Sequence, residues 1–158
     1  ADPQANARFV LGVVADAPQD LLTEIVRRSG VRVVQFHGVE PPDVLAGCTF
    51  PAYKAFRVGP GFDVRTLGTY PGEVALLDSY VEGVQGGTGR SFDWSLAAEA
   101  TKIRKVILAG GITPATVGAA AEQVHPFAVD VSSGVESQPG LKDHAKLAAF
   151  IEAVHTAN

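Results

Sequence analysis

The sequence predicts an α/β fold built on a parallel sheet, on three observations. Short apolar runs rich in β-branched residues recur six times, each is followed by a helical pattern, and almost every run closes on a polar residue or a glycine. Strands covered on both faces read as unbroken apolar runs, and parallel neighbours need the crossover that alternating helices supply. Two architectures suit six such units, an open doubly wound sheet or part of a (β/α)8 barrel. A site assembled from many strand ends favours the barrel.

The elements follow in order. Residues 1–8, ADPQANAR, have no apolar core, so they read as a flexible tail or a junction and not as a signal peptide or membrane anchor. Phe9 to Val14 is the first strand. Asp16 then caps a helix carrying Leu21, Leu22, Ile25 and Val26, which Gly30 stops. Val31 to Phe36 is the second strand, leading through His37-Gly38 to a short helix started by Pro41 or Pro42. Ala52 to Val58 is the third, and Gly59-Pro60-Gly61 turns it into a weak helix around Val64 to Leu67. Val74 to Leu77 is the fourth. It ends in Asp78, before a loop carrying Gly83, Gly86, Gly87 and Gly89, and Asp93 caps the helix from Trp94 to Ala100. Val106 to Ala109 is the fifth, closing on Gly110-Gly111, with Thr113-Pro114 opening the next helix. Phe127 to Val131 is the sixth. After Ser132-Ser133-Gly134, Asp143 caps a last helix through Leu147, Phe150, Ile151 and Val154. Residues 9–158 form one domain, without repeat or linker.

At 158 residues and 46% hydrophobic, the chain can bury a substantial core. A net charge of -4 without a Lys/Arg block argues against nucleic acid and anionic membrane as partners and for a small molecule. No run reaches the roughly 18 apolar residues of a membrane-spanning helix. A lone Cys48 excludes an intrachain disulfide framework and fits a reducing, cytoplasmic location.

Several strand ends carry residues able to do chemistry. Gly110-Gly111 and Ser132-Ser133-Gly134 close the last two strands, where barrels often hold phosphate; glycine admits close backbone approach, and N–H groups then face the anion. Turn glycines and a helix cap explain them equally well one at a time. Two such loops on consecutive units are the better signal. Desolvation raises a carboxyl's pKa and keeps it protonated near neutrality, as a general acid requires. Asp78 closes an apolar strand, a position of that kind, although pairing with a Lys or Arg or capping a turn is the commoner use. His37 suits a proton carrier or a donor to substrate, against the blander role of a packed, hydrogen-bonded histidine. Asp130 stands inside the run Phe127 to Val131, where an unpaired charge is costly, so it requires a partner or a ligand. Lys54 and Arg57 suit attraction of an anionic substrate, or an ion pair with Asp78 or Asp130. Cys48 has no activating neighbour and reads as inert packing. Phe92 and Trp94 fix the helix after the glycine loop. His37, His125, His144 and His155 show no ligand spacing, so no metal is expected.

The blocks VQFHG at 34–38, LLDS at 76–79, GGTGRSFDW at 86–94, ILAGGITP at 107–114 and VDVSSGVESQPGLKD at 129–143 together give a stronger signal. In them, and over nearly the whole chain from Phe9 onward, the sequence resembles the phosphoribosylanthranilate isomerases of tryptophan biosynthesis. Five ordered blocks are far more specific than one glycine loop. The resemblance implies a (β/α)8 TIM-barrel-type fold, of which six βα units are present, an incomplete barrel. It implies an Amadori rearrangement of N-(5'-phosphoribosyl)anthranilate to 1-(2-carboxyphenylamino)-1-deoxyribulose 5-phosphate. The substrate's own nitrogen is the electron sink, so no cofactor is called for. By motif, Asp78 matches the general acid, His37 the strand-end active-site histidine and Asp130 the substrate-contacting aspartate of the last strand. Gly110, Gly111, Ser133 and Gly134 match the phosphate-holding positions, and the loop of Gly87 is expected to fold over the substrate, excluding water.

The chain departs from the family's pattern at its start. The strand bearing a KICG-like motif, whose cysteine is the general base, and the unit bringing the arginine for the anthranilate carboxylate have no counterpart, and Phe9 matches the start of the family's third strand. Cys48 lies between a helix and a strand start, away from the catalytic face, and cannot substitute. By this reading the chain alone is an impaired isomerase, because loss of a general base costs roughly 10²- to 10⁴-fold. The strands starting at Phe9 and Phe127 then have open edges, which invite a homo-oligomer or a complementing chain. Three explanations suit the departure: the natural protein has these residues outside this sequence, another chain supplies them, or the barrel has shrunk and changed use. The first is favoured because every retained motif is intact. The competing functions are a non-catalytic phosphate-ligand binder or assembly subunit, and another sugar-phosphate isomerase on the same scaffold.

Overall fold

The computed structural model describes residues 10–79 and 94–157. The proposed tail, Phe9, and the glycine loop with Gly83, Gly86, Gly87, Gly89, Phe92 and Asp93 lie outside the described residues. Two compact units divide the chain: Ala1–Ala55 with Thr69–Glu73, and Phe56–Gly68 with Val74–Asn158.

The first unit runs β1 (Val10–Val14), α1 (Gln19–Ser29), β2 (Val31–Phe36), α2 (Pro42–Ala46) and the start of β3 (Ala52–Val58). β1 pairs with β2 and β2 with β3, both parallel, and Gln35 stands opposite Tyr53. Side chains alternate across a strand, so Val34 and Phe36 fall on one face and Gln35 on the other. Val34 and Phe36 pack with Leu22 of α1 and Leu45 of α2 into a core completed by Val14, Val26, Phe50 and Tyr70. Gly30 ends α1 in the left-handed conformation, at φ 73°, as expected. The expected cap at its start is not formed. α1 begins at Gln19 behind Pro18 without a side-chain cap. Asp16 adopts φ 52°, and its Oδ1 accepts the Val39 N–H at 2.7 Å. Ala17-Pro18 separates Asp16 from the first turn, and a distant backbone donor claims its carboxylate.

The second unit continues with a 3₁₀ turn beginning at Val64, then β4 (Val74–Ser79), α3 (Trp94–Ala100), β5 (Lys105–Ala109), α4 (Val117–Val124), β6 (Ala128–Val129), the strands β7 (Glu136–Gln138) and β8 (Leu141–Lys142), and α5 (His144–Thr156). β4, β5 and β6 are parallel and adjacent in chain order. Leu76, Leu77, Val106 and Leu108 of the strands are buried, as are Ala97, Ala100, Val117 and Ala120 of the helices. Small residues on α3 and α4 let the helices seat closely on this sheet. Asp143 caps α5 as expected, its Oδ1 accepting from the Ala145 and Lys146 N–H groups at 2.9 and 3.1 Å.

Three elements differ from expectation. β6 is only Ala128–Val129, and Phe127 is 63% exposed, with Lys105 Nζ 5.7 Å from its ring centre. α4 starts at Val117 and not at Thr113-Pro114. The Thr113 carbonyl accepts from Thr116 and Val117, while Thr113 N–H donates to Thr116 Oγ1 at 3.0 Å, so this segment is a turn before the helix. The antiparallel pair β7–β8 was not anticipated, since ESQ and LK are too short and polar to read as strands. Pro139-Gly140, with Gly140 at φ 80°, was its one signal.

Candidate active site

In the second unit, strand register does most of the placement. Asp78 stands opposite Ala109, the residue before Gly110-Gly111. Leu108 stands opposite Val129, and the Asp130 N–H donates to the Leu108 carbonyl at 2.8 Å. Asp78, Ala109 and Asp130 therefore line up across the carboxyl ends of β4, β5 and β6, the edge of a parallel sheet where ligands bind. Asp78 is half-buried above fully buried Leu77 and Leu108. Asp130 corrects an expectation. It lies beyond the shortened β6 and is exposed, so the cost of a charge inside a strand does not apply to it.

The two loops proposed for an anion meet one another. Gly110 and Gly111 adopt φ 79° and 65°, the region where a side chain is strained. A methyl group on Gly134 would overlap the Ile112 carbonyl oxygen and lie 3.1 Å from its carbon and 3.2 Å from Val131 Cγ2. Glycine is thus what lets the loop after β6 close on the loop after β5. Ser133 opens the short 3₁₀ turn to Val135 and is exposed. Beside it, Lys142 Nζ donates to the Ser132 carbonyl at 2.9 Å and pairs with Glu136 at 2.8 Å. The Lys142 side-chain hydrogen bond is the main reason the Glu136 carboxyl lies below the usual carboxylate range.

His37 belongs to the first unit, directly after β2. Its backbone N–H donates to the Val14 carbonyl at 2.7 Å. Its Nδ1 lies 2.9 Å from Gln35 Nε2, and Gln35 Oε1 accepts from the Tyr53 hydroxyl at 2.8 Å. Gln35 and Tyr53, buried and opposite one another, were missed as site residues. A glutamine inside the apolar run Val31 to Phe36 was the available signal, since a buried amide requires partners.

Lys54 corrects a second expectation. It does not face solvent to attract an anion. It is 5% exposed and pairs at 3.3 Å with Glu40, itself 3% exposed. Lys54 Nζ also donates to the carbonyls of Phe36, Gly38 and Ala55 at 3.3, 2.8 and 2.8 Å. Glu40 Oε1 accepts from the Asp16 and Gly38 N–H groups at 2.7 and 3.2 Å. The pair therefore fixes the loops after β1 and β2 against β3. Tyr70 donates to the Glu40 carbonyl at 3.0 Å, and burial, followed by the nearby Glu40 charge, pushes its phenol up. Arg57 is exposed. Cys48 is half-buried, donates to the Val44 carbonyl at 3.3 Å, and has its thiol pushed up by burial, as inert packing requires. Gly87 lies outside the described residues. Among the described residues no three His, Cys, Asp or Glu side chains cluster as metal ligands, and no helix is long and apolar enough to cross a membrane.

Comparison with known proteins gives a consistent result. The family model for N-(5'-phosphoribosyl)anthranilate isomerase matches residues 3–153. A relative from Pseudomonas fluorescens (strain SBW25), named N-(5'-phosphoribosyl)anthranilate isomerase, is 46% identical over 150 residues, covering 94% of this chain and 71% of its own. The crystal structure of phosphoribosyl anthranilate isomerase from Thermotoga maritima has a TM-score of 0.82 at 34% identity, covering 94% of this chain and 73% of that one. A further crystal structure, of such an isomerase in complex with reduced 1-(o-carboxyphenylamino)-1-deoxyribulose 5-phosphate, has a TM-score of 0.79 at 30% identity, covering 96% and 75%.

Proposed function

From the premise that this chain belongs to the N-(5'-phosphoribosyl)anthranilate isomerase family, we propose how its own residues divide the work of that reaction. The family's fold is the α/β TIM-barrel type, and we read the six βα units as the corresponding part of an eight-stranded barrel. The reaction is the Amadori rearrangement of tryptophan biosynthesis. A proton passes to the furanose ring oxygen, the C1–O bond breaks, and the anthranilate nitrogen forms an imine with C1. Loss of the C2 proton to a base gives an enolamine, which takes a proton at C1 as its C2 hydroxyl gives one up, leaving the ketone. Electron flow begins and ends on the substrate's nitrogen.

We assign the first proton to Asp78. The observation that carries this is register: Asp78 lies opposite Ala109, with Gly110-Gly111 immediately beyond. A phosphate held by the loops after β5 and β6, at Gly110, Gly111, Ser133 and Gly134, sets the ribose over the ends of β4 and β5. The left-handed glycines and the close Gly134–Ile112 approach support that anion site. Asp130, exposed next to Ala109 in the same row, is suited to contact the ribose hydroxyls, and the loop of Gly87 to cover the substrate. His37 contributes a ring at the end of β2.

We place the work in the cytoplasm, where Cys48 stays a thiol. The first strand, with Val10 and Val13 58% and 60% exposed, fits cover by a further strand, from a second copy or a complementing chain. The test of function is turnover: the protein mixed with N-(5'-phosphoribosyl)anthranilate, followed by loss of its fluorescence. Conversion supports the isomerase, and product binding without conversion would point to a phosphate-ligand binder.

A further inference from the structure

We propose that Gln35 and Tyr53 are positioning residues for His37, holding its ring proton on Nε2, so that Nε2 serves as a hydrogen-bond donor to substrate. The inference deepens the isomerase reading and rests on it for the role of His37.

Gln35 and His37 are two residues apart along β2 and its end, and therefore share a face. Tyr53 stands opposite Gln35 in the parallel pair, which brings its side chain to the same face. The result is a chain of three groups. The Tyr53 hydroxyl donates to Gln35 Oε1 at 2.8 Å, which leaves the Gln35 amide NH₂ against His37 Nδ1 at 2.9 Å. A primary amide nitrogen donates and does not accept, so Nδ1 must offer a lone pair. A neutral imidazole with a lone pair on Nδ1 carries its proton on Nε2. Protonating Nδ1 would set two donors facing one another.

Burial makes the relay strict. Gln35 and Tyr53 are 7% and 8% exposed, so breaking the chain leaves polar groups without water to replace the lost bond. The backbone under the ring is held as well. Lys54 Nζ takes the carbonyls on either side of His37, those of Phe36 and Gly38, while the His37 N–H is tied to Val14. Ring position and proton position are thus set by separate groups. A donor of fixed tautomer can hold a substrate oxygen without exchanging protons with it.

The test is the ¹⁵N NMR signature of the His37 ring in the folded protein, at a pH where the ring is neutral. The expected spectrum has a pyridine-like Nδ1 and a pyrrole-like Nε2. In Gln35→Glu an acceptor of the same shape replaces the donor, and Nδ1 is expected to become protonated. Turnover should then fall on the order of 100-fold, mainly in kcat, as when a catalytic hydrogen-bond donor is lost. Tyr53→Phe keeps the fold if Gln35→Glu does not, and there the Nδ1 resonance should move toward that of a free ring as its amide partner loosens. A protonated Nδ1 in the unaltered protein overturns the proposal, as does an Nδ1 unmoved by both substitutions. The spectrum judges the relay alone, whereas absence of turnover in the unaltered protein would condemn the isomerase reading.

Discussion

Replacing Gly134 by alanine tests the anion site through the contact between its two loops. The added methyl would overlap the Ile112 carbonyl oxygen and crowd the Ile112 carbon at 3.1 Å and Val131 Cγ2 at 3.2 Å. Two of these atoms are backbone and cannot swing aside. Ile112 is buried and so is Val135, next to Gly134, so neither loop gives way freely. Relief therefore comes from parting the loops by about 1 Å, and overpacking of this kind costs roughly 1–3 kcal/mol of stability. A displacement of about 1 Å in a group that positions substrate can lower the rate on the order of 100-fold. Steady-state kinetics should show a raised KM and a kcat/KM reduced by about that factor, with urea melts on the same preparations confirming a folded protein. Gly118→Ala is the control, because its methyl would meet only the Ala153 carbonyl of α5, at 4.0 Å, and Gly118 lies within α4, where alanine is favoured over glycine by about 1 kcal/mol. A folded Gly134→Ala variant with unchanged KM and kcat would refute the placement of phosphate between these loops.

Three other outcomes are expected. Lys54→Met should destabilise the protein by about 3–5 kcal/mol in urea melts, since it leaves the buried Glu40 carboxylate without its cation; adding Glu40→Gln should restore much of the loss, and strict additivity would contradict a coupled pair. The Lys146 backbone N–H, with that of Ala145, holds the Asp143 carboxyl below the usual carboxylate range. Its folded pKa is depressed, so its contribution is complete above the unfolded carboxyl's pKa and is lost as pH falls through the folded value. Circular dichroism should record α5 fraying across that acid window, with a flatter response in Asp143→Asn. Iodoacetamide should alkylate Cys48 more slowly than a free cysteine at pH 8, because burial disfavours its thiolate, and a faster reaction would remove it from the packing role.

Much of the fold was legible because its strands are apolar runs punctuated by polar ends. Asp78 and Gly110 are recognisable for that reason, and register then puts them in neighbouring rows. The errors share a cause, which is that sequence shows a residue's preference and not its partner. Asp16 precedes a helical pattern and so resembles a cap, yet its carboxylate is taken by Val39, 23 positions away. Lys54 looks like a free cation beside a site until Glu40 is brought against it. Phe127 and Val131 are apolar enough to extend a strand, but β6 is limited to Ala128 and Val129, so Asp130 stands just past its end. Gln35 and Tyr53 announced themselves as polar residues in apolar runs. Only the parallel register of β2 with β3 reveals that they address each other and His37.

The central claim is that Asp78 supplies the proton that opens the sugar ring, and single-turnover conversion of N-(5'-phosphoribosyl)anthranilate by Asp78→Asn tests it most directly. Asparagine keeps the shape and cannot give up a proton, so conversion should slow by roughly 10²- to 10⁴-fold while the product still binds. Conversion at the unaltered rate would contradict it.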